Sequence, residues 1–353
     1  MKKILEVLII IPILLNMYSA KTEPAFSHNK QNNFIWASYY HVDRQNIYFI
    51  DTNDFCIYVS DLDKENKLKL IGDKVDNTGF IYKDGKIIYK KDNGYLYSYD
   101  ILNKETDKIS QYKLVKKYGS FFVLKNDIFY FDELNNLHKV SNGRDLIVMP
   151  SEKYVANNIY ENQIIIGDSL FTWGEEGINK IDINNFQVEQ IYFSRVYFLA
   201  TYKDKIYFID EDKRVCSTDL RGENLEIISE DRALDDTGDF TAGKLMIDDN
   251  KLYYISYRDN KSDLVRIDLA DGQKSLVANN VQDFYVKNDR VIYFTSYEDG
   301  EIIMINNDKE KRFYNEDLKY IFILDYKDDQ LILLAKSQNL ENVFGEIFFL
   351  TID

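Results

Sequence analysis

Residues 206–219 read Ile-Tyr-Phe-Ile-Asp-Glu-Asp-Lys-Arg-Val-Cys-Ser-Thr-Asp, and the pattern in this stretch decides the fold. An apolar-aromatic triplet is followed by a short polar loop and by a second apolar run that ends in Asp. Further copies recur at intervals of 36 to 46 residues, with triplets that begin at Ile47, Ile87, Ile128, Leu170, Leu252, Val291 and Leu331. A regular period of this length is typical of a solenoid, a propeller or another repeat array.

One repeat predicts four short antiparallel strands. In residues 78–110, apolar segments alternate with turns such as Asp84-Gly85 and Asn93-Gly94, which suit tight hairpins because these residue types accept positive φ angles. The second strand of a repeat is apolar on both of its faces, so each sheet is expected to be packed on both sides, as the blades of a propeller are. The sequence therefore predicts an all-β protein, a β-propeller of about eight four-stranded antiparallel blades, with seven blades as the alternative.

The composition agrees with a packed β protein. The 353 residues are 45% hydrophobic and 15% aromatic, with 28 Tyr and 22 Phe, residues that fit pleated surfaces. The net charge is -15, with 59 acidic and 44 basic residues, and this balance disfavours nucleic acid as a partner because phosphates attract basic surfaces.

The N-terminal segment differs from the repeats. Lys2 and Lys3 precede an apolar stretch from Ile4 to Leu15, and Ser19-Ala20 offers small residues near a cleavage point. Residues 1–20 are therefore interpreted as a signal peptide, with an uncleaved N-terminal anchor as the alternative. Residues 21–33 form a separate segment, and around 24–31 we expect a closing strand for the last blade. Residues 34–353 form the propeller of an exported protein, secreted or associated with the cell surface.

Two smaller sets of residues have structural interpretations. An Asp ends the third strand of several repeats, and we expect each to cap the following turn by accepting backbone N–H groups; these are Asp61, Asp100, Asp182, Asp219 and Asp268. The chain has only two cysteines, Cys56 and Cys216, and both are interpreted as buried free thiols.

The repeat also resembles a known family. Lys205-Ile-Tyr-Phe-Ile-Asp and Asn250-Lys-Leu-Tyr-Tyr-Ile-Ser, each followed by a strand ending in Asp-Leu, resemble a bacterial domain of unknown function with a propeller like that of the low-density-lipoprotein receptor-related proteins. The resemblance implies a propeller in an exported protein of a low-GC bacterium. The receptor repeat has Tyr-Trp-Thr-Asp in its second strand, whereas this chain has Tyr48-Phe49-Ile50-Asp51 and Tyr207-Phe208-Ile209-Asp210, so no ligand rule follows.

Motifs of catalysis are sparse in this sequence. The three histidines, His28, His41 and His138, lack metal-site spacing to one another or to a cysteine, and no nucleophile elbow or phosphate-binding loop is found. The sequence therefore predicts no catalytic residue, no metal and no cofactor.

The longest predicted loops suggest a binding face. Four of them, at Ser229–Gly243, Ser256–Asp263, Thr295–Gly300 and Lys336–Gly345, fall at one end of the strands in the second half of the chain. Tyr and Arg are enriched at binding hot spots, and loops on rigid scaffolds often carry function. The candidate contact residues are Tyr257, Arg258, Tyr297, Glu298, Asp235, Asp236 and Asp239.

Three functions remain open from the sequence. The first is a non-catalytic binding or scaffold module that contacts a protein or glycan through one propeller face. The alternative is a propeller hydrolase or lyase with a carboxylate site at the axial pocket. A structural envelope protein is the weakest of the three.

Overall fold

A computed structural model gives the fold of residues 34–351, apart from 38–39, 44–45, 52–53, 62–66, 117–119, 152–162, 236–243, 259–260, 297–300, 307–308, 315–317, 328–329 and 338–345. These described residues form 32 β-strands. They divide into two compact units, an N-terminal unit of Asn29–Thr172 and Asn179–Glu189 and a C-terminal unit of Trp173–Ile178 and Gln190–Asp353. No helix in the described part of the chain has the length and apolar character needed to cross a membrane.

The first half of the chain forms four antiparallel sheets. The first sheet consists of β2 (Tyr40–Asp43), β3 (Asn46–Ile50), β4 (Ile57–Asp61) and β5 (Leu68–Ile71). The second consists of β6 (Val75–Lys83), β7 (Lys86–Lys91), β8 (Leu96–Asp100) and β9 (Glu105–Lys108). The third consists of β1 (Phe34–Trp36), β10 (Phe121–Leu124), β11 (Asp127–Phe131), β12 (Leu137–Ser141) and β13 (Arg144–Met149). The fourth consists of β14 (Gln163–Ile166), β15 (Ser169–Gly174), β16 (Gly177–Asp182) and β17 (Val188–Tyr192).

Four more sheets follow in the second half. The fifth consists of β18 (Val196–Tyr202), β19 (Lys205–Asp210), β20 (Val215–Asp219) and β21 (Glu226–Ser229). The sixth consists of β22 (Leu245–Asp248), β23 (Lys251–Arg258), β24 (Lys261–Asp268) and β25 (Lys274–Ala278). The seventh consists of β26 (Asp283–Lys287), β27 (Arg290–Phe294), β28 (Glu301–Asn306) and β29 (Lys309–Tyr314). The eighth has three described strands, β30 (Leu318–Lys327), β31 (Gln330–Ser337) and β32 (Glu346–Thr351).

This strand order confirms the fold class. Seven of the sheets contain a four-stranded antiparallel meander, the unit of a β-propeller, which in the third sheet is β10 to β13. When β1 is left out of the count, all eight sequence triplets fall in the second strands of their sheets. In every meander the chain enters the first strand and leaves the fourth at the same end of the sheet, where the second–third turn also lies. We call this the linker end, and the opposite end, with the first–second and third–fourth turns, the hairpin end.

Sheets are packed on both faces, as the apolar second strands predicted. In β23, Leu252 and Tyr254 pack against the fifth sheet, whereas Tyr253 and Ile255 pack against the seventh. All four of these side chains are almost completely buried. Because successive residues of a strand point to opposite faces, an uninterrupted apolar run is needed to fill two interfaces at once.

The segments between sheets are fixed by backbone hydrogen bonds on both sides. In the N-terminal unit, Leu114 N–H donates to Gly94 of the second sheet, and Lys113 accepts from Glu133 N–H of the third. The side chain of Leu114 is fully buried between these two sheets. Each such linker therefore acts as a short extra strand at the linker end.

The fourth strands carry a recurring bulge. In the first, third, fifth and sixth sheets the register with the third strand shifts by one residue near the end of the fourth strand. The extra residue turns toward the core and packs there, and a bulge also makes an edge strand less able to pair with another chain. The bulged residues are Leu70, Val148, Ile228 and Val277.

Four of the five turn caps predicted at the ends of third strands are present, and the turn after Asp61 lies outside the described residues. Asp219 Oδ1 accepts the backbone N–H groups of Arg221 and Glu223, both at 2.9 Å. These backbone donors hold the pKa of Asp219 below its usual range. Asp100, Asp182 and Asp268 accept backbone N–H groups in the same way.

The N-terminal strand β1 pairs with the third sheet. Its register with the first strand of that sheet is antiparallel, with Phe34 opposite Leu124 and Trp36 opposite Phe122. Ala37, which follows β1, is buried among side chains of the second and third sheets. The signal peptide or anchor at 1–20 and the closing strand expected around 24–31 lie outside the described residues.

Candidate functional site

The predicted contact residues that the structure describes lie at the linker end of the sixth sheet. Tyr257 and Arg258 end β23, and Asp235 lies in the linker that precedes this sheet. The remaining predicted residues lie outside the described part of the chain: Asp236, Asp239, Tyr297 and Glu298.

The prediction of a loop over Ser256–Asp263 is wrong, because most of these residues lie in strands. β23 and β24 are each eight residues long and stay in register out to Arg258 opposite Lys261. The sequence turns polar after Ile255, which suggested a loop. The two linkers keep the segment extended, since Tyr257 N–H donates to Arg232 O at 2.8 Å and Val281 N–H donates to Ser262 O at 2.6 Å.

This hairpin places different side chains on its two faces. Tyr257 is partly buried and packs against the core between the sixth and seventh sheets. Arg258 and Lys261 are exposed, and because they are directly opposite in register they share the other face. On that face, closer to the core, Asp263 has a buried oxygen, Oδ1, that receives no hydrogen bond in the described structure.

A polar network supports the linker beside the hairpin. Tyr254 O–H donates to Asp231 Oδ2 at 3.0 Å, and Tyr254 also bonds Ser229 Oγ at 2.9 Å. Burial alone would raise the pKa of Asp231, but hydrogen bonds from Lys274 and Tyr254 outweigh burial and lower it. The next part of the linker is fixed to the fifth sheet, because Lys213 Nζ donates to Asp235 O at 2.5 Å.

A second site, which no sequence motif indicated, is a buried polar network in the third sheet. His138 in β12 is completely buried. Its Nδ1 lies 2.9 Å from Asp145 Oδ1, and its Nε2 lies 3.1 Å from Asp132 Oδ2. A ring nitrogen that carries a proton donates to the carboxylate beside it, because a carboxylate can only accept hydrogen bonds. The geometry is that of an imidazole ring held between two carboxylates.

Each carboxylate has further donors. Tyr130 O–H and Gln111 N–H donate to Asp145 Oδ2 at 2.5 and 2.6 Å. Burial raises the pKa of Tyr130, and its bond to Asp145 raises the pKa further, so this phenol remains a donor. Asp132 accepts from the backbone and the side chain of Asn136, at 2.8 and 2.9 Å. The network therefore joins three strands, a turn and a linker.

The imidazole of this network is covered by aromatic rings. His138 stacks on Tyr130, with ring centroids 4.6 Å apart, and lies against Tyr112 at a tilt of 43°, with centroids 4.8 Å apart. Tyr112 is 48% exposed, and Ile147, which is directly opposite His138 in register, is 50% exposed. The histidine is closed off from solvent while the residues around it form an apolar surface, which assigns it a structural role.

A weak sequence signal for this network exists in hindsight. An Asp lies at the end of the second strand in the first, third and fifth sheets: Asp51 and Asp132 directly follow the strand, and Asp210 is its last residue. In the fifth sheet, Asp210 accepts from Arg214 Nε at 3.0 Å and from its backbone N–H at 2.7 Å. The residue that bonds to this Asp differs from sheet to sheet. The network could therefore not be predicted from the sequence without knowing which residues the fold brings together.

A buried lysine was also missed. Lys90, in β7, has no exposed surface, and its Nζ donates to Val115 O at 3.2 Å. It occupies a strand position where other sheets have apolar residues, such as Ile209. Its amine thus adds another hydrogen bond to the linker that leads into the third sheet.

The carboxyl groups of the described residues share one direction of pKa shift. Every carboxyl group described here whose pKa shifts has it shifted downward, as at Asp54, Asp100, Asp127, Asp219 and Asp231. A general acid needs the opposite shift. No cluster of three metal-ligating side chains is found in the residues described.

Solved structures similar to this chain share its fold at low sequence identity. The computationally designed Ika8 protein is 12% identical with a TM-score of 0.54, covering 90% of this chain and 96% of its own. BamB from Moraxella catarrhalis is 11% identical with a TM-score of 0.53, covering 86% and 95%. An oligogalacturonate lyase in complex with manganese is 12% identical with a TM-score of 0.50, covering 92% and 91%.

BamB and the lyase are β-propellers, and the similarity therefore agrees with the fold found here. At these identities it establishes the fold alone. No protein family and no curated protein matches the chain.

Proposed function

We propose that this protein is an exported, non-catalytic binding or scaffold module that contacts a protein or glycan partner through the linker end of its C-terminal unit. The observation that carries the proposal is the β23–β24 hairpin, which is paired to its tip and fixed by linkers on both sides. A binding surface on a rigid element loses little conformational entropy when a partner docks. The exported location and the family resemblance remain part of this proposal.

The hairpin presents groups suited to recognition. Arg258 and Lys261 offer exposed donors on one face, and Asp263 Oδ1 adds a buried acceptor below them. Arg is enriched at binding hot spots because its planar group makes several directed hydrogen bonds. The predicted residues Asp236, Asp239, Tyr297 and Glu298 are proposed to complete this contact surface.

The enzyme alternative has less support. One neighbour in fold is a lyase, but a shared fold does not imply a shared reaction. The downward pKa shifts of the carboxyl groups described above disfavour a general acid among them. A structural envelope protein would need no rigid hairpin with exposed cations, so it is also the weaker interpretation.

The test is a charge reversal at the hairpin. We expect Arg258→Glu combined with Lys261→Glu to lose the partners that the wild type captures from a native cell-surface extract and from a glycan array. Arg221→Glu is the matched control, because Arg221 is exposed on the fifth sheet at the hairpin end. Identical capture by all three proteins would exclude this surface, and cleavage of oligogalacturonate in the presence of manganese would favour the lyase alternative.

A further inference from the structure

The chain contains two Asn-Gly pairs, and the structure places both of them in turns. Asn93-Gly94 lies in the turn between β7 and β8, and Asn142-Gly143 forms the two-residue turn between β12 and β13. An Asn that precedes Gly is chemically labile, because the backbone nitrogen of Gly can attack the side-chain amide carbon and Gly has no Cβ to hinder the approach. The outcome at each pair depends on how firmly its turn holds the two reacting groups.

Hydrogen bonds hold both reacting groups of the first pair. The attacking group, the N–H of Gly94, donates to Lys91 O at 2.9 Å. The target amide is held as well, because Asn93 Oδ1 accepts from Tyr95 N–H at 3.1 Å and Asn93 Nδ2 donates to the Tyr97 hydroxyl oxygen at 2.9 Å. An attack at this turn would have to break all three of these hydrogen bonds.

The linker that leads into the third sheet covers the same turn. Leu114 N–H donates to Gly94 O at 2.8 Å, and a Cβ added to Gly94 would lie 3.3 Å from Lys113 Cγ. This turn is therefore enclosed by the contact between the second and third sheets, and opening it would also loosen the linker.

The turn of the second pair holds neither reacting group. Asn142 and Gly143 are both exposed. Among the described residues, neither the Gly143 N–H group nor the Asn142 side chain has a hydrogen-bond partner. Their φ angles are 50° and 72°, which Asn and Gly accept in a two-residue hairpin turn, and the strands beyond it start with the pairing of Ser141 and Arg144. The tip of this hairpin can therefore open locally without breaking a side-chain hydrogen bond.

We propose that Asn142 is a site of spontaneous deamidation in the folded protein, whereas Asn93 keeps its amide. Gly143 N attacks Asn142 Cγ, the bond from Cγ to the side-chain nitrogen breaks, and this nitrogen leaves as ammonia with the proton that Gly143 N has lost. Water, the only co-reactant, then opens the five-membered imide at either carbonyl and yields aspartate or isoaspartate. In both products a carboxylate replaces a neutral amide next to Arg144. This modification is independent of the binding function proposed above.

The test is incubation of the purified full chain in mildly alkaline buffer, with and without urea, followed by peptide mapping with mass spectrometry. Alkaline buffer speeds the reaction because the attacking nitrogen has to lose its proton. In the folded chain we expect Asn142 to convert at least about tenfold faster than Asn93, which corresponds to about 1.4 kcal/mol or more. In urea the two pairs should convert at similar rates, because the turn that protects Asn93 is then lost.

Two variants make the result specific. Asn142→Gln should prevent conversion at this position, because the longer side chain would have to close a six-membered ring. Tyr97→Phe keeps the aromatic ring but removes the partner of Asn93 Nδ2, so it should speed the conversion of Asn93 in the folded chain and leave that of Asn142 unchanged. Equal conversion of Asn93 and Asn142 in the folded chain would overturn the proposal. An Asn142 that keeps its amide in the folded chain over the time in which the unfolded chain loses it would also overturn the proposal.

Discussion

Replacing the buried histidine of the third sheet gives a decisive test of how this sheet is held together. His138→Phe keeps an aromatic ring between Tyr130 and Tyr112 but removes both ring nitrogens. Asp132 and Asp145, with side chains 8% and 2% exposed, would then each lose a buried hydrogen-bond partner. Leaving a buried polar group without its hydrogen bond costs about 1–3 kcal/mol, so the two groups together give about 2–6 kcal/mol.

The structure places the expected loss near the lower end of that range. Asp145 retains hydrogen bonds from Tyr130 and Gln111, and Asp132 retains those from Asn136. We therefore expect a loss of about 3 kcal/mol in the free energy of unfolding from the lost hydrogen bonds. Urea denaturation measures the total, and hydrogen exchange of β10 to β13 shows whether the loss is local.

A combined variant separates charge from packing. Adding Asp132→Asn and Asp145→Asn to His138→Phe replaces the two buried carboxylates that have lost a hydrogen-bond partner and should recover part of the lost stability. Lys139→Gln is the control, because Lys139 forms a partly exposed ion pair with Asp127 on the opposite face of the same strand, worth about 1 kcal/mol or less. The reasoning fails if His138→Phe is within about 0.5 kcal/mol of the wild type, a typical change for surface substitutions, or if the combined variant is less stable than the single one.

Three further predictions follow from single residues. Burial lowers the pKa of His41 to about 4, below its unfolded value of about 6.5, so the unfolded state binds more protons between these values. The free energy of unfolding should therefore fall by at most about 3 kcal/mol as the pH drops from 6.5 to 4. Urea denaturation should show that the stability of His41→Gln depends less on pH than that of the wild type, and an equal dependence would count against this reasoning. Gly177→Ala should destabilise the protein far more than Gly272→Ala, although both glycines have positive φ. An added Cβ would lie 2.0 Å from Tyr192 O at Gly177, whereas it would meet nothing within 4 Å at Gly272. Equal decreases in the thermal unfolding temperature would contradict this prediction. Burial and the neighbouring Asp210 carboxylate raise the pKa of Cys216 to about 12, so iodoacetamide at pH 8 should modify it only in the unfolded protein.

The sequence determined the architecture because its repeat is a direct consequence of packing. A second strand that is apolar on both faces, as in Ile206-Tyr207-Phe208, has to be buried between two other sheets. Because each repeat forms one sheet, the number of repeats predicts the number of sheets. The turn caps were equally local, since Asp219 bonds backbone groups only two and four residues away. Local hydrogen bonds and strand periodicity are encoded within a few residues, which is why both could be predicted.

The tertiary structure alone decided the sites. The β23–β24 hairpin extends through polar residues because the linkers at Arg232 and Val281 bond to its two strands, and neither linker is adjacent to them in sequence. The His138 network joins residues from separate strands, a turn and a linker, and a single histidine in a sequence carries no sign of the carboxylates it will meet. Contacts between distant segments depend on the register of the strands and on the face of the sheet to which each side chain points. A shift of the register by one residue would move the side chains of a strand to the opposite face.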